Sequence, residues 1–123
     1  MDKASKNLNN VAKGFFGQSE AEIFLQSKGM TLLETNFRRA TGEIDLIVKD
    51  GTYFVFVEVK YRRSKRYGLP REAVNATKQK RIHRTALYYI AEKGLSEQDF
   101  RFDVVELLST NNGLVINHIE NAF

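Results

Sequence analysis

The sequence predicts an α/β fold in which helices cover a mixed β-sheet. The predicted elements follow one another in the order helix, three strands, helix and two strands. With 123 residues, the chain has the length of one domain with its own hydrophobic core, and it contains no internal repeat or long linker. We therefore expect one domain over 17–123, preceded by a flexible N-terminal tail over 1–16.

The first half of the chain is predicted to form one helix and three strands. Ala21, Phe24 and Leu25 recur at helical spacing, which predicts a helix over 17–29 that ends at a glycine. Strands are predicted over 31–38, 43–49 and 53–61. The dipeptide Asp50-Gly51 is a hairpin signal, so the last two of these strands should be antiparallel neighbours.

The second half is predicted to form one long helix and two strands. Ile82, Ala86 and Tyr89 lie at helical spacing and predict a helix over 75–93, with Gly94 as its stop. The final strands are predicted over 100–108 and 114–119. A Ser-Thr-Asn-Asn-Gly turn between them indicates an antiparallel pair.

The composition excludes several classes of protein. The chain has no cysteine, so it has neither disulfides nor thiolate metal sites, and it has only two histidines, which are far apart in the sequence. Gly-rich phosphate loops are absent. No apolar run approaches the ~20 residues of a membrane span, and residues 1–16 lack the apolar core of a signal peptide. We expect a cytoplasmic protein that does not act at a membrane.

Basic residues are concentrated in one part of the sequence. Ten basic residues and one acidic residue, Glu72, lie between Lys60 and Arg84, which gives this stretch a charge of +9 in a chain whose net charge is +4. Segregation of this kind is typical of a surface that binds a polyanion such as nucleic acid. A solvated basic face without a partner is the alternative.

The predicted hairpin over 43–61 has one apolar face and one charged face, because side chains alternate along a strand. The apolar face is predicted to contain Ile44, Leu46, Val48, Val55, Val57 and Val59. The opposite face contains Glu43, Asp45, Glu58 and Lys60. Charged groups of both signs are therefore expected together at the end of the hairpin away from its turn.

The register of the hairpin determines how closely these groups meet. A two-residue loop at Asp50-Gly51 leaves Glu58 diagonal to Asp45 on the same face. A four-residue loop places Asp45 directly opposite Glu58. Both registers keep Lys60 beside the two carboxylates, whereas a one-residue slip would separate the three groups.

Two carboxylates that converge in this way suit a hard divalent cation such as Mg²⁺ or Mn²⁺. Such an ion activates a bound water and neutralises charge on a phosphodiester, while Lys60 could orient the water or stabilise developing charge. The alternative is a surface salt-bridge cluster in which Glu43 and Asp45 pair with Lys60 and Arg62. The downstream basic stretch favours the catalytic interpretation.

The residues at this hairpin also resemble a known family. The segments Gly42-Glu43-Ile44-Asp45-Leu46-Ile47 and Phe56-Val57-Glu58-Val59-Lys60 resemble the YraN family of bacterial proteins, which are similar to Holliday junction resolvases and belong to the PD-(D/E)XK nuclease superfamily. Further matching segments are Asn36-Phe37-Arg38, Ala73-Val74 with Lys78, Arg101-Phe102-Asp103-Val104-Val105 and Ile119-Glu120-Asn121-Ala122-Phe123. The resemblance covers roughly 17–123.

The resemblance implies a restriction-endonuclease-like core with a mixed sheet of about five strands flanked by helices. It implies that Asp45 and Glu58 are metal ligands, with the Val59 carbonyl as a third, and that Lys60 is the catalytic lysine. One position departs from the pattern: nuclease relatives place a glutamate on the first helix where this chain has Gln18. Glu22, on the same helix face, could replace it, and Glu43 is a further accessory candidate.

The expected function is therefore a divalent-metal-dependent endonuclease that hydrolyses DNA, including branched or junction DNA. The alternative is a non-catalytic nucleic-acid-binding module that keeps the fold, and Gln18 favours it. Phosphate contacts are expected from Arg62, Arg63, Lys65, Arg66, Lys78, Lys80, Arg81 and Arg84. Cutting both strands of a junction needs two active sites, which favours a symmetric homodimer.

Overall fold

A computed structural model describes residues 16–63 and 74–123. The first helix, α1, covers 16–27 of the described chain. The other elements are β1 (Thr31–Arg39), β2 (Gly42–Asp50), β3 (Tyr53–Arg62), α2 (Ala76–Lys93), β4 (Asp99–Thr110) and β5 (Gly113–Ile119). The five strands form one sheet in the order β1-β2-β3-β4-β5. The predicted α/β fold is confirmed, and each predicted element is present within two residues of its expected bounds.

The sheet is mixed because one of its four pairings is parallel. β3 and β4 run parallel, and the other neighbouring strands are antiparallel. A parallel pair needs a crossover connection, and α2 lies in that connection between β3 and β4. The crossover therefore brings the first turn of α2 back to the sheet after β3 has ended.

Each face of the sheet has its own core. On one face Ala21 and Leu25 of α1 are fully buried against the central strands. On the other face Ile82, Ala86 and Tyr89 of α2 are buried against them. The residues of β2 that face α1 are Leu46 and Val48, and those that face α2 are Ile44 and Ile47. Covering both faces explains why the two central strands are apolar on both sides.

The helix ends are formed by the residues that the sequence indicates. Asn75 caps α2, since its side chain accepts a hydrogen bond from the backbone N–H of Lys78 over 2.9 Å. Gly94 follows α2 with φ of 65°, and Gly29 follows α1 with φ of 92°. Both are left-handed values that favour glycine. The predicted tail lies almost wholly outside the described residues, and Phe16, its last residue, belongs to α1.

The hairpin differs from the prediction in its turn. The dipeptide at the tip is Gly51-Thr52, because Asp50 pairs with Tyr53. Gly51 adopts φ of 59°, which supplies the left-handed residue that the tight turn needs. The resulting register is the one expected for the longer loop.

Ile44 also lies on the other face from the one predicted. It packs with Ile47 and Phe56 on the α2 side instead of joining Leu46 and Val48 on the α1 side. The residue pairing of β2 with β3 reaches only to Leu46 and Val57. Strict alternation therefore does not extend to the first residues of β2.

The edge strand β1 is irregular. Its register against β2 shifts between Leu32 and Glu34, which marks a β-bulge or a similar irregularity. Asn36, two residues further on, adopts φ of 52°, a left-handed value that is uncommon outside glycine. The strand continues to pair with β2 beyond this point, up to Arg39 and Gly42.

Candidate active site

Asp45 is held at the start of β2 by the backbone of β3. Its Oδ2 atom accepts a hydrogen bond from the N–H of Val59 over 2.8 Å. Asp45 precedes Leu46, the last residue of β2 that pairs with β3, and Glu58 follows its partner Val57. The turn at Gly51-Thr52 thus brings the two predicted carboxylates together at the end of the hairpin.

Glu58 is the most deeply buried acid of this group, with 4% of its surface exposed. Its Oε1 atom lies 2.5 Å from Nζ of Lys78 and 3.4 Å from Nζ of Lys60. Both ammonium groups thus face the same carboxylate oxygen. A buried carboxylate requires compensation of this kind, because isolated burial of its charge is costly.

The titration behaviour of the cluster reflects burial and mutual charge. Burial and the neighbouring charge of Glu58 raise the pKa of Asp45 to about 7, although the Val59 N–H and Lys78 act in the opposite direction. Burial lowers the pKa of Lys60, and the adjacent Lys78 lowers it further. For Lys78, burial lowers the pKa, but the contacts with Glu58 and Lys60 and the charge of Asp45 together outweigh burial, so the pKa is raised. Groups with shifted pKa values are common at functional sites.

Asp45, Glu58 and Lys78 open onto a cleft of about 630 Å³ between the end of the hairpin and the first turns of α2. The residues that line it are Gly42, Glu43, Asp45, Glu58, Asn75, Thr77, Lys78, Arg81 and Ile82. Glu43 is at the rim, where its carboxylate accepts a hydrogen bond from Arg38 over 2.8 Å. The cleft is lined by groups of both charges.

The oxygen ligands of the cleft suit a hard divalent cation such as Mg²⁺ or Mn²⁺. Within 16–63 and 74–123 there is no cluster of three or more His, Cys, Asp or Glu side chains that could enclose a metal. Mg²⁺, however, is usually held by one or two carboxylates together with water and substrate phosphates. Asp45 and Glu58 provide two carboxylates, and the N–H of Val59 holds the first of them in place. The residues fit a hard, partly hydrated cation and do not fit a closed structural site.

The predicted phosphate-binding residues are separated by the structure into several groups. Lys78 lies in the cleft and Arg81 at its edge, while Lys80 and Arg84 are exposed on α2. Arg63 is exposed just beyond β3. Lys65 and Arg66 lie outside the described residues.

Arg62 has a more buried position than predicted. Its Nε atom lies 3.3 Å from Oε2 of Glu106, and only 11% of its side chain is exposed. This contact is an ion pair without hydrogen-bond geometry. Burial raises the pKa of Glu106, and Arg62 opposes that rise. Arg62 thus compensates a buried acid on β4 that the sequence analysis did not single out.

The two candidate groups on α1 do not line the cleft. Gln18 and Glu22 are half-buried on that helix, which packs on the opposite face of the sheet through Ala21 and Leu25. A Cβ atom added to Gly17 would lie 3.3 Å from Cβ of Tyr61, so the start of α1 is close to the end of β3. The accessory roles considered for Gln18 and Glu22 remain predictions.

A second polar cluster, which the sequence analysis did not predict, lies on β4 and β5. Asp103 is fully buried and accepts hydrogen bonds from Arg101, from the backbone N–H of Asn121 and from Nε2 of His118. Nδ1 of His118 in turn faces the ammonium group of Lys28 over 2.7 Å, which fixes Nε2 as the donor to Asp103. Arg101 and Asp103 alternate along β4, and this pattern was the signal in the sequence from which the cluster could have been predicted.

None of the described helices is long and apolar enough to cross a membrane. The fold and the site together define an α/β protein with a carboxylate and lysine cluster at the end of a central hairpin. A family model described as "Uncharacterised protein family UPF0102" matches residues 17–107. The chain belongs to this family, which is the YraN family that its hairpin segments resemble.

Individual relatives match over nearly the whole chain. A "UPF0102 protein" of Alkaliphilus metalliredigens is 50% identical over 119 residues, which are 97% of this chain and 99% of the relative. "UPF0102 protein CA_C1763" of Clostridium acetobutylicum is 49% identical over 116 residues, 93% of this chain and 95% of the relative. A relative from Clostridioides difficile is 44% identical over 116 residues.

Proposed function

We propose that this protein is a divalent-metal-dependent endonuclease that hydrolyses phosphodiester bonds of DNA. The observation that carries the proposal is the meeting of two carboxylates with a lysine: Asp45 and Glu58 line a cleft beside a basic helix, and Nζ of Lys60 lies 3.4 Å from Glu58. Asp45 and Glu58 would hold Mg²⁺ or Mn²⁺, with the carbonyl of Val59 as a third ligand. The bound ion would activate water and neutralise charge on the phosphate.

Val59 and Lys60 would contribute to the other steps of the proposed hydrolysis. The N–H of Val59 fixes the Asp45 carboxylate, so the site would be arranged before substrate arrives. Lys60, whose pKa is lowered by burial, would orient the attacking water and stabilise the charge that develops on phosphate oxygen. The water oxygen bonds to phosphorus, one P–O ester bond breaks, and the released alkoxide takes up the proton of the water.

The basic residues near the cleft would bind the DNA backbone. Arg81 lines the cleft, and Lys80 and Arg84 extend its positive charge along the exposed side of α2. Contacts with phosphates position a nucleic acid without reading its sequence. We therefore propose recognition of the shape and charge of DNA, including branched DNA, and a homodimer when both strands of a junction are cut.

The test incubates the protein with supercoiled, linear, single-stranded and four-way-junction DNA in Mg²⁺, Mn²⁺ or EDTA. Asp45→Asn and Lys60→Ala are run beside Lys93→Ala, which removes a lysine from the last turn of α2, away from the cleft. Metal-dependent cleavage that is lost in the first two variants and retained in the third supports the proposal. Binding without cleavage in every condition would overturn it.

A non-catalytic DNA-binding module is the second candidate. It is favoured by Gln18, which replaces the glutamate expected on α1, and by the ion pair between Lys78 and Glu58, which compensates the buried acid without any metal. This candidate predicts salt-dependent DNA binding that Mg²⁺ weakens only as an added salt, in wild type and in the Asp45→Asn variant alike, because no metal takes part.

A further inference from the structure

Lys78 is fixed at the start of α2, where the chain returns to the sheet. Its backbone N–H donates to Oδ1 of the capping residue Asn75 over 2.9 Å. The side chain of Gln79 donates to the carbonyl of Val74 over 2.8 Å, which ties down the residue before the cap. The helix end therefore presents Lys78 to the cleft from a defined backbone position.

The ammonium group of Lys78 is closer to Glu58 than that of Lys60 is. The distances to the same oxygen, Oε1, are 2.5 Å and 3.4 Å. The two lysines also differ in exposure, with 39% of the Lys78 side chain and 25% of the Lys60 side chain accessible to solvent. Lys78 thus reaches a buried carboxylate from the open side of the cleft, along a path through which its side chain can also withdraw.

The charge balance of the cluster makes Lys78 and a divalent ion competitors. With Asp45 and Glu58 ionised, the two acids are balanced by the two lysines Lys60 and Lys78. A divalent ion would change this balance to +2 in a partly buried site, where repulsion between like charges is weakly screened. It would also need the lone pairs of Glu58 that the Lys78 ammonium now uses.

We propose that Lys78 is the built-in counter-cation of Glu58, and that binding of a divalent ion releases its ammonium group into the cleft. The inference rests on the proposed metal site. The released group would lie beside Thr77 and Arg81, which also line the cleft, and would be available to a DNA phosphate. Metal binding and phosphate binding would then be coupled through one side chain.

The test compares Mn²⁺ binding by wild type and by Lys78→Met, using calorimetry and thermal melting after dialysis against EDTA. The variant lacks the competitor, so it should bind Mn²⁺ about tenfold more tightly and melt at a lower temperature than wild type when no metal is present. Lys80→Met removes the same charge from an exposed position on the same helix. It should bind Mn²⁺ as wild type does.

A second measurement does not depend on the folding of a variant. In the wild-type protein, the ammonium signal of Lys78 in ¹H–¹⁵N spectra should be protected by Glu58 and should disappear when Mg²⁺ is added. A signal that persists at saturating Mg²⁺ would contradict release. Mn²⁺ affinity in Lys78→Met that is equal to or weaker than in wild type would also contradict release. Either result would leave the proposed metal site unaffected. Absence of Mn²⁺ binding in wild type and variant alike would overturn the proposed metal-dependent function as well.

Discussion

The backbone N–H of Val59 donates a hydrogen bond to the side chain of Asp45 across the central hairpin, over 2.8 Å. This bond lowers the cost of keeping Asp45 ionised, yet burial and the charge of Glu58 outweigh it and raise the pKa of Asp45 to about 7. Ionised Asp45 and ionised Glu58 therefore repel each other in a buried site. A cation between the two carboxylates would offset that repulsion.

The first prediction concerns stability and pH. Because the pKa of Asp45 is higher in the folded protein than its usual value, its contribution to stability is full at acidic pH and is lost as the pH rises toward 7. The free energy of unfolding in EDTA should fall by on the order of 2–4 kcal/mol over this range. Urea unfolding at a series of pH values measures the slope. The Asp45→Asn variant should lack this fall with pH, and identical pH profiles of wild type and variant would contradict the prediction.

The second prediction concerns the buried cluster around Asp103. Burial would raise the pKa of Asp103, but hydrogen bonds from His118, Arg101 and Asn121 outweigh burial and lower it. Asp103→Ala would remove one of the two carboxylates that Arg101 contacts at 2.9 Å, together with the acceptor of His118, and should cost about 3 kcal/mol at pH 7. The difference from wild type should shrink as the pH falls through the lowered pKa of Asp103, because the wild type then loses this stabilisation.

The control for this substitution is Asp99→Ala. Asp99 begins the same strand and is exposed, so its replacement should change stability by no more than about 0.5 kcal/mol. Urea unfolding at pH 7 measures both variants. Equal effects of the two substitutions would show that the Asp103 cluster contributes little.

The third prediction concerns the core on the α2 side. Phe56 is fully buried and lies 5.2 Å from Phe102 and 5.9 Å from Tyr89 between ring centroids. Phe56→Ala should cost about 3–5 kcal/mol, because it removes packed area and leaves a cavity. Leu87→Ala on the outer side of α2, where Leu87 is 63% exposed, should cost about 0.5 kcal/mol or less. Thermal melting of both variants tests the difference.

The fourth prediction concerns DNA binding. Arg81→Ala and Arg84→Ala should each weaken binding for all DNA sequences alike and reduce the slope of log affinity against log salt by about one. Lys93→Ala removes a positive charge from the last turn of α2, far along the helix from the cleft. It should leave the slope unchanged. Fluorescence anisotropy at several salt concentrations measures the slopes, and a uniform response of all three variants would refute a defined binding track.

The meeting of Asp45 with Glu58 could be predicted because it depends on local features. Alternation places both residues at the charged end of one hairpin, and an even loop keeps them on one face. The choice between registers was not accessible from the sequence, because Asp50-Gly51 and Gly51-Thr52 both provide a glycine for the turn. The observed pairing of Asp50 with Tyr53 decides it.

The part of the site that comes from α2 could not be predicted, because it depends on a long-range contact. Lys78 was interpreted as one of several phosphate contacts on a basic helix. Its ion pair with Glu58 follows from how the crossover seats the first turn of α2 on the sheet. Nothing in the spacing between these two residues encodes that distance. The same holds for Arg62, whose buried partner Glu106 lies on the parallel strand β4.

The irregular register of β1 has a consequence for how the molecule behaves among its copies. β1 lies at one end of the described sheet, with β2 as its neighbour, and a regular edge strand is a template for pairing with a strand of another chain. The shift between Leu32 and Glu34 and the left-handed Asn36 interrupt that template. Copies of the chain at high concentration are thereby discouraged from joining edge to edge into aggregates.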